Sequence, residues 1–195
     1  MNKGKETYQR VLDVAIYFFA KEGIQKTSFA MIAKELGMSK PSLYYYVESK
    51  DELIKKVFDY IFEDYTFEDY FHLKDMTKEN LIEQLYLGGM DYINEIQEQD
   101  ILLNLLSEFT LYANRNKEVD ETFIEKIKEV QQMFIDGFVQ VLQKAIEFGL
   151  MEENNIQAKA GVLALMLDNI LNYKMLDMKI EEAAIWKQTI TDVIK

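Results

Sequence analysis

Between Thr27 and Lys50 the chain reads Thr27-Ser28-Phe29-Ala30-Met31-Ile32-Ala33-Lys34-Glu35-Leu36-Gly37-Met38-Ser39-Lys40-Pro41-Ser42-Leu43-Tyr44-Tyr45-Tyr46-Val47-Glu48-Ser49-Lys50. Its second half is rich in N–H and O–H donors, and no acidic residue falls between Glu35 and Glu48. Such donors, without carboxylates beside them, suit contacts to phosphate oxygens, with aromatic rings available to sugars or thymine methyls. Three consecutive tyrosines sit about 100° apart around a helix, an arc too wide for all of them to be core. Leu43 and Val47, four apart, take the buried stripe, so Tyr44 and Tyr45 are expected to project outward beside Lys40, Ser42 and Lys50. Tyr46 either joins them or lies half-buried beside Leu43.

Other chemistries lack their residues. Zero cysteines remove disulfides, thiol catalysis, iron–sulfur clusters and thiolate zinc sites. The single histidine, His72, leaves no multi-histidine metal centre and no paired Glu-x-x-His di-iron site. The G-x-S-x-G elbow, the P-loop and the G-x-G-x-x-G fingerprint are absent. Carboxylates are plentiful, but no spacing selects an acid/base pair. The expectation is a protein that is not an enzyme, with no catalytic residue, metal site or cofactor.

The 195 residues are 49% hydrophobic, 29% charged and 13% aromatic, which reads as a soluble globular chain of one large domain or two small ones. Eight glycines and one proline leave little material for the turns of an all-β fold. The first residues lack an apolar stretch of signal-peptide length, and the longest small-and-apolar run, residues 160–167, is well short of a bilayer span, so a cytoplasmic location is expected. The net charge of −12 is unevenly spread. Residues 1–50 hold eight basic and five acidic side chains, whereas the other 145 residues hold 14 and 29. That is a small cationic head on an acidic body.

Apolar periodicity is helical throughout. Tyr8, Val11, Leu12, Ala15, Ile16 and Phe19 mark a first helix over about 5–22, stopped at Gly23. Lys3 and Lys5 read as a tail ahead of it, or as extra nonspecific phosphate contacts. Phe29, Ile32, Ala33 and Leu36 give a short second helix, opened by Thr27 or Ser28 and closed at Gly37. Ser39 caps a third over about 40–47, with Pro41 in its first turn. Ser49 and Glu52 form a capping box for a fourth, running through Leu53, Val57, Phe58, Ile61 and Phe62. Its end dissolves into the acidic, aromatic stretch 63–72. Five more helices are expected over about 78–98, 100–115, 119–149, 156–176 and 180–194. Gly88-Gly89 inside one of them implies a kink or a close contact. The whole is all-α, about nine helices. Helices two and three, joined by a short glycine-containing turn with small Ala33 where they approach, make a helix-turn-helix, a unit that lays its second helix in the DNA major groove.

At this point the sequence resembles the tetracycline-repressor (TetR) family of bacterial transcription regulators. The resemblance runs from about Tyr8 to Leu53 and rests on Phe18-Phe19-Ala20-Lys21-Glu22-Gly23, Thr27-Ser28, Ile32-Ala33-Lys34-Glu35-Leu36-Gly37, Ser39-Lys40-Pro41-Ser42-Leu43-Tyr44 and Ser49-Lys50-Asp51-Glu52-Leu53. It implies a homodimer whose residues 1–50 bind operator DNA, while residues 51–195 bind a small molecule that releases the DNA and provide the dimer contact. By the same resemblance Ser28 starts the helix that touches phosphates. Lys40, Pro41 and Ser42 fall where such proteins read bases, Tyr44, Tyr45 and Tyr46 where they contact backbone or bases, and Lys50 on a phosphate. Ala30 stands where relatives often carry a longer polar or basic side chain, so base reading from the second helix is weakened. Tyr46 stands where histidine is frequent.

The other 145 residues carry only periodicity. The 119–149 helix has two apolar stripes, one of Phe123, Ile127, Val130, Phe134, Phe138, Val141, Ala145 and Phe148, the other of Ile124, Ile135, Val139, Leu142 and Ile146. The 156–176 helix is apolar nearly all round, with small Ala160, Gly161 and Ala164. Two-sided apolar helices of this kind suit an intermolecular four-helix bundle. Candidate effector contacts are Tyr86, Met90, Phe109, Tyr112, Phe134, Phe138, Met166, Asn169 and Tyr173, residues that plain core packing would also explain. Asp168, Asn169 and Asn172 interrupt the apolar 156–176 helix and each needs a hydrogen bond. The expected function is a ligand-responsive repressor, with effector binding moving the fourth helix by a population shift. The alternative is a helical module that uses the N-terminal tyrosine patch against another protein, without DNA.

Overall fold

The computed structural model describes residues 3–63, 65–98, 100–118 and 121–195, and among these every regular element is helical. In chain order they are α1 (Lys3–Glu22), α2 (Phe29–Glu35), α3 (Lys40–Leu43), α4 (Lys50–Phe62), α5 (Leu81–Glu98), α6 (Asp100–Asn116), α7 (Thr122–Glu147), α8 (Ile156–Met175) and α9 (Glu182–Val193). Residues 119 and 120, the expected start of the longest helix, lie outside the described residues. Two departures at helix starts have local causes. Lys3 and Lys5 belong to α1 and not to a tail. Helix α5 opens at Leu81, after a turn in which Asn80 accepts the Thr77 N–H at 2.7 Å and donates to the Asp75 carbonyl at 3.1 Å. A side chain that satisfies backbone groups this way competes with the helix.

The chain divides into two compact units, residues 1–64 with 100–127, and residues 65–99 with 128–195. In the first, Val11, Leu12, Ala15 and Phe19 of α1 are buried, as are Ile32 and Ala33 of α2, Leu43, Val47 and the apolar face of α4. The i, i+3, i+4 pattern of the sequence therefore faces one core. Phe58 of α4 meets Phe109 of α6 edge-on at 5.3 Å and Phe123 at 4.9 Å, an arrangement that aligns ring edges with ring faces.

In the second unit α5, α8 and α9 pack on one another. The stretch whose structure the periodicity left open, 63–72, contains one 3₁₀ turn, Phe67–Asp69, and a second, Leu73–Asp75, follows it. Thr66 opens the first, with its N–H donating to Asp69 Oδ2 at 2.7 Å. The turn sends Phe67 inward against Phe71, Phe134 and Phe138 at 4.5–5.7 Å between ring centroids. Trp186 of α9 is fully buried, and its indole N–H donates to the Tyr86 carbonyl at 3.2 Å. Gly89 is a close contact, since a Cβ there would collide with the indole. No helix among the described residues is long and apolar enough to cross a membrane.

Candidate nucleic-acid interface

The site is built from caps outward. Ser28 is the N-cap of α2, extended at φ −123°, and its hydroxyl accepts the Met31 N–H at 3.3 Å. Thr27, the other candidate cap, is buried; its hydroxyl lies 2.9 Å from the Gly23 carbonyl and 3.1 Å from that of Phe18. It pins the α1–α2 turn to the end of α1. Helix α2 closes through Gly37 at φ +66°, with Met38 N–H returning to the Ala33 carbonyl at 2.9 Å. No atom lies near a Cβ at Gly37, so only the left-handed backbone calls for glycine there.

Ser39 then caps α3, accepting the Ser42 N–H at 3.2 Å. The segment expected as a helix to residue 47 keeps α geometry only to Leu43. Tyr44 to Tyr46 turn more tightly, with Tyr46 N–H bonded to the Leu43 carbonyl at 2.9 Å. Leu43 and Val47 are both buried, and Ser49 must already cap α4, accepting Glu52 N–H at 3.1 Å. Only a turn fits between those anchors.

The anchoring leaves the donors outside. Tyr45 is 94% exposed and Tyr44 47%, the latter leaning on the Phe29 ring at 5.0 Å, while Tyr46 is half-buried. Ser28, Lys40, Pro41 and Ser42 are exposed, as is Ala30. The Ser42 hydroxyl shares a hydrogen bond with that of Ser39 at 2.7 Å. Lys50 is different. It is half-buried and donates to the Gln25 carbonyl at 3.0 Å, and burial lowers its pKa against the raising effect of Asp51. Six of the eight named residues are thus exposed, Tyr46 is half-buried, and Lys50 is turned toward the α1–α2 turn. Sequence alone offered no signal for that turn, because its partner carbonyl is 25 residues away.

The candidate effector residues do not form one group. Phe109 and Tyr112 lie in the first unit, Phe109 against Phe58 and Phe123, and Tyr112 donating to Asp51 at 2.8 Å. Tyr86, Met90, Phe134, Phe138, Met166, Asn169 and Tyr173 lie in the second. There Phe134 and Phe138 are buried, Tyr86, Met90 and Met166 half-buried, and Asn169 and Tyr173 exposed on α8. Asn169 donates to the Leu165 carbonyl at 2.8 Å. Phe134 also touches an aromatic group that periodicity passed over, Tyr65 at 5.8 Å and Tyr92 at 5.2 Å, with Tyr70 against Tyr92 at 5.1 Å. Burial holds the Tyr92 phenol above its ordinary range, the Asp168 carboxylate adding to it, and pushes the Asp168 carboxyl up to about 6.

Residues 11–57 match the bacterial regulatory proteins of the tetR family. The biofilm operon icaADBC negative transcriptional regulator IcaR of Staphylococcus aureus (strain Newman) is 28% identical, the match covering 80% of this chain and 95% of IcaR. A structure of SmeT with triclosan superposes with a TM-score of 0.75 at 16% identity, over 97% of this chain and 92% of that one. FadR of Bacillus subtilis in complex with stearoyl-CoA gives 0.71 at 16%, over 96% and 98%. These two likenesses establish the fold. The helix-turn-helix lies within the matched residues, the described residues around it are all-helical, and a curated regulator aligns along most of the chain: in these respects the chain is similar to the TetR family of bacterial regulatory proteins.

Proposed function

We propose that this protein is a cytoplasmic repressor that binds operator DNA as a homodimer and is released by a small-molecule effector. Residues 1–50 present the DNA-binding surface, and residues 51–195 hold the effector and the dimer contact. The observation that carries the reading is the solvent-facing Tyr45, with exposed Lys40 beside it on a segment capped by Ser39 and free of carboxylates. Lys40, Pro41 and Ser42 read bases or phosphates, Tyr44 and Tyr45 contact the duplex, and Ser28 meets a phosphate at the start of α2. Tyr46 contributes from its exposed edge. Lys50 reaches a phosphate only by leaving the Gln25 carbonyl.

For the dimer, α8 presents exposed Val162, Leu165 and Tyr173, and the second stripe of α7 leaves Ile124, Ile135, Val139 and Ile146 half-exposed. This supports an isologous contact through α7 and α8. For the effector, Phe134, Phe138, Tyr86, Met90 and Met166 supply an apolar lining in the second unit, in keeping with the aromatic rings of triclosan in the SmeT complex and the acyl chain of stearoyl-CoA in the FadR complex. Repression follows the description of IcaR as a negative regulator.

Footprinting on the DNA that flanks the protein's own gene tests the reading. The wild type is expected to protect a two-fold symmetric site, and the Lys40→Ala/Tyr45→Ala variant to lose that protection while still sedimenting as a dimer. Unchanged affinity in the double variant would remove the site assignment.

A further inference from the structure

The turn between α1 and α2 is held from outside the helix-turn-helix. Ile24 is buried, and its N–H donates to Glu108 Oε2 of α6 at 2.8 Å. The next carbonyl, of Gln25, accepts from Lys50 Nζ of α4 at 3.0 Å. One helical turn beyond Glu108, the Tyr112 hydroxyl donates to Asp51 Oδ1 at 2.8 Å, and Asp51 adjoins Lys50. Residues four apart on a helix share a face, so one face of α6 reaches both the α1–α2 turn and the first turn of α4. The contacts close on themselves: Ile24 to Glu108, along α6 to Tyr112, across to Asp51, and from Lys50 back to Gln25.

A buried N–H left without an acceptor is costly, and a carboxylate is a strong acceptor for it. Glu108 therefore fixes where the α1–α2 turn sits. That turn delivers the chain to Ser28 and α2, and the Gly37 turn then sets α3 relative to α2. We infer that Glu108 is a positioning residue for operator binding, acting with Tyr112 through the α1–α2 turn and touching no DNA itself. The assignment rests on the operator-binding reading.

The experiment compares full-length wild type, Glu108→Ala, Glu108→Gln and Tyr112→Phe. Hydrogen exchange reads residues 23–28, fluorescence anisotropy reads affinity for the footprinted DNA at several salt concentrations, and sedimentation reads the dimer. In Glu108→Ala, exchange at Ile24 should rise and operator affinity should fall about tenfold, the scale of one charge-assisted hydrogen bond. The salt slope should stay at the wild-type value, because the number of phosphates met is unchanged. Glu108→Gln keeps an amide oxygen for the Ile24 N–H and should restore most of the affinity. Tyr112→Phe removes one hydroxyl without opening a cavity, and a several-fold loss of affinity is expected, which keeps the test readable should Glu108→Ala fold poorly. Wild-type affinity in both Glu108→Ala and Tyr112→Phe, or Glu108→Gln as weak as Glu108→Ala, would overturn the assignment alone. A wild type that binds no DNA would instead overturn the operator reading and take this assignment with it.

Discussion

Asp168 shows how one side chain records its surroundings. It lies on α8, its charge acts on the phenol of Tyr92, and burial pushes its carboxyl up to about 6. A carboxyl whose folded pKa is raised binds its proton more tightly in the folded state, so it costs stability once pH rises above the unfolded value, and the cost is complete above about 6. Asp168→Asn should therefore stabilise the protein at pH 7 by on the order of 2 kcal/mol, with the gain gone below about pH 4. Thermal unfolding across that pH range checks it, and a gain that persists in acid would contradict the burial effect. The sequence flagged Asp168 as an interruption of an apolar helix. It could not supply Tyr92, some 76 residues earlier, nor tell a partly buried carboxyl from a paired one. Lys50 makes the same point from the other side. Its residue type suggested a phosphate, and its hydrogen bond goes to a backbone carbonyl.

Short elements depend on their ends. Helix α3 is four residues long, far below the length at which a helix holds its own conformation, so Ser39 and the burial of Leu43 and Val47 carry it. Ser39→Ala removes the acceptor for the Ser42 N–H and the partner of its hydroxyl, and should cost about 1 kcal/mol. Because α3 carries Lys40 and delivers the chain to Tyr45, operator affinity should fall along with unfolding stability; a variant with intact affinity would detach the cap from recognition. Longer elements are limited by packing. Gly89→Ala places a methyl against the Trp186 indole, and overpacking of this kind costs about 1–3 kcal/mol or more, measurable in urea unfolding. The sequence located the Gly88-Gly89 pair and left open kink or contact. The indole that selects contact comes from α9, about a hundred residues later.

Charge and association act on the molecule as a whole. On the proposed reading, a chain of net charge −12 with a basic excess in residues 1–50 would meet DNA through that segment, since the remainder repels phosphate. Operator affinity should drop by orders of magnitude between about 50 and about 200 mM salt, as counterion release requires. Affinity indifferent to salt would remove phosphates from the interface. Leu165, 62% exposed on α8, belongs to the apolar surface assigned to the dimer. Leu165→Glu should convert dimer to monomer in sedimentation and weaken operator binding, because two half-sites then bind independently. A dimer that survives would move the contact to another surface.

What could be read from the amino-acid order was local. Caps at Ser28, Ser39 and Ser49, the glycine turn at residue 37 and the apolar stripes of α1, α2 and α4 act over three to seven residues, and a linear pattern records interactions of that range. The outward aim of Tyr45 was legible for the same reason, since Leu43 and Val47 leave it no inward direction. Contacts between distant segments settled the remainder: Glu108 on the α1–α2 turn, Lys50 on Gln25, Phe109 among the rings of α4 and α7, and Trp186 against Gly89. Each pairs residues whose spacing carries no periodic signal, and only packing in three dimensions brings such groups within hydrogen-bonding or van der Waals range.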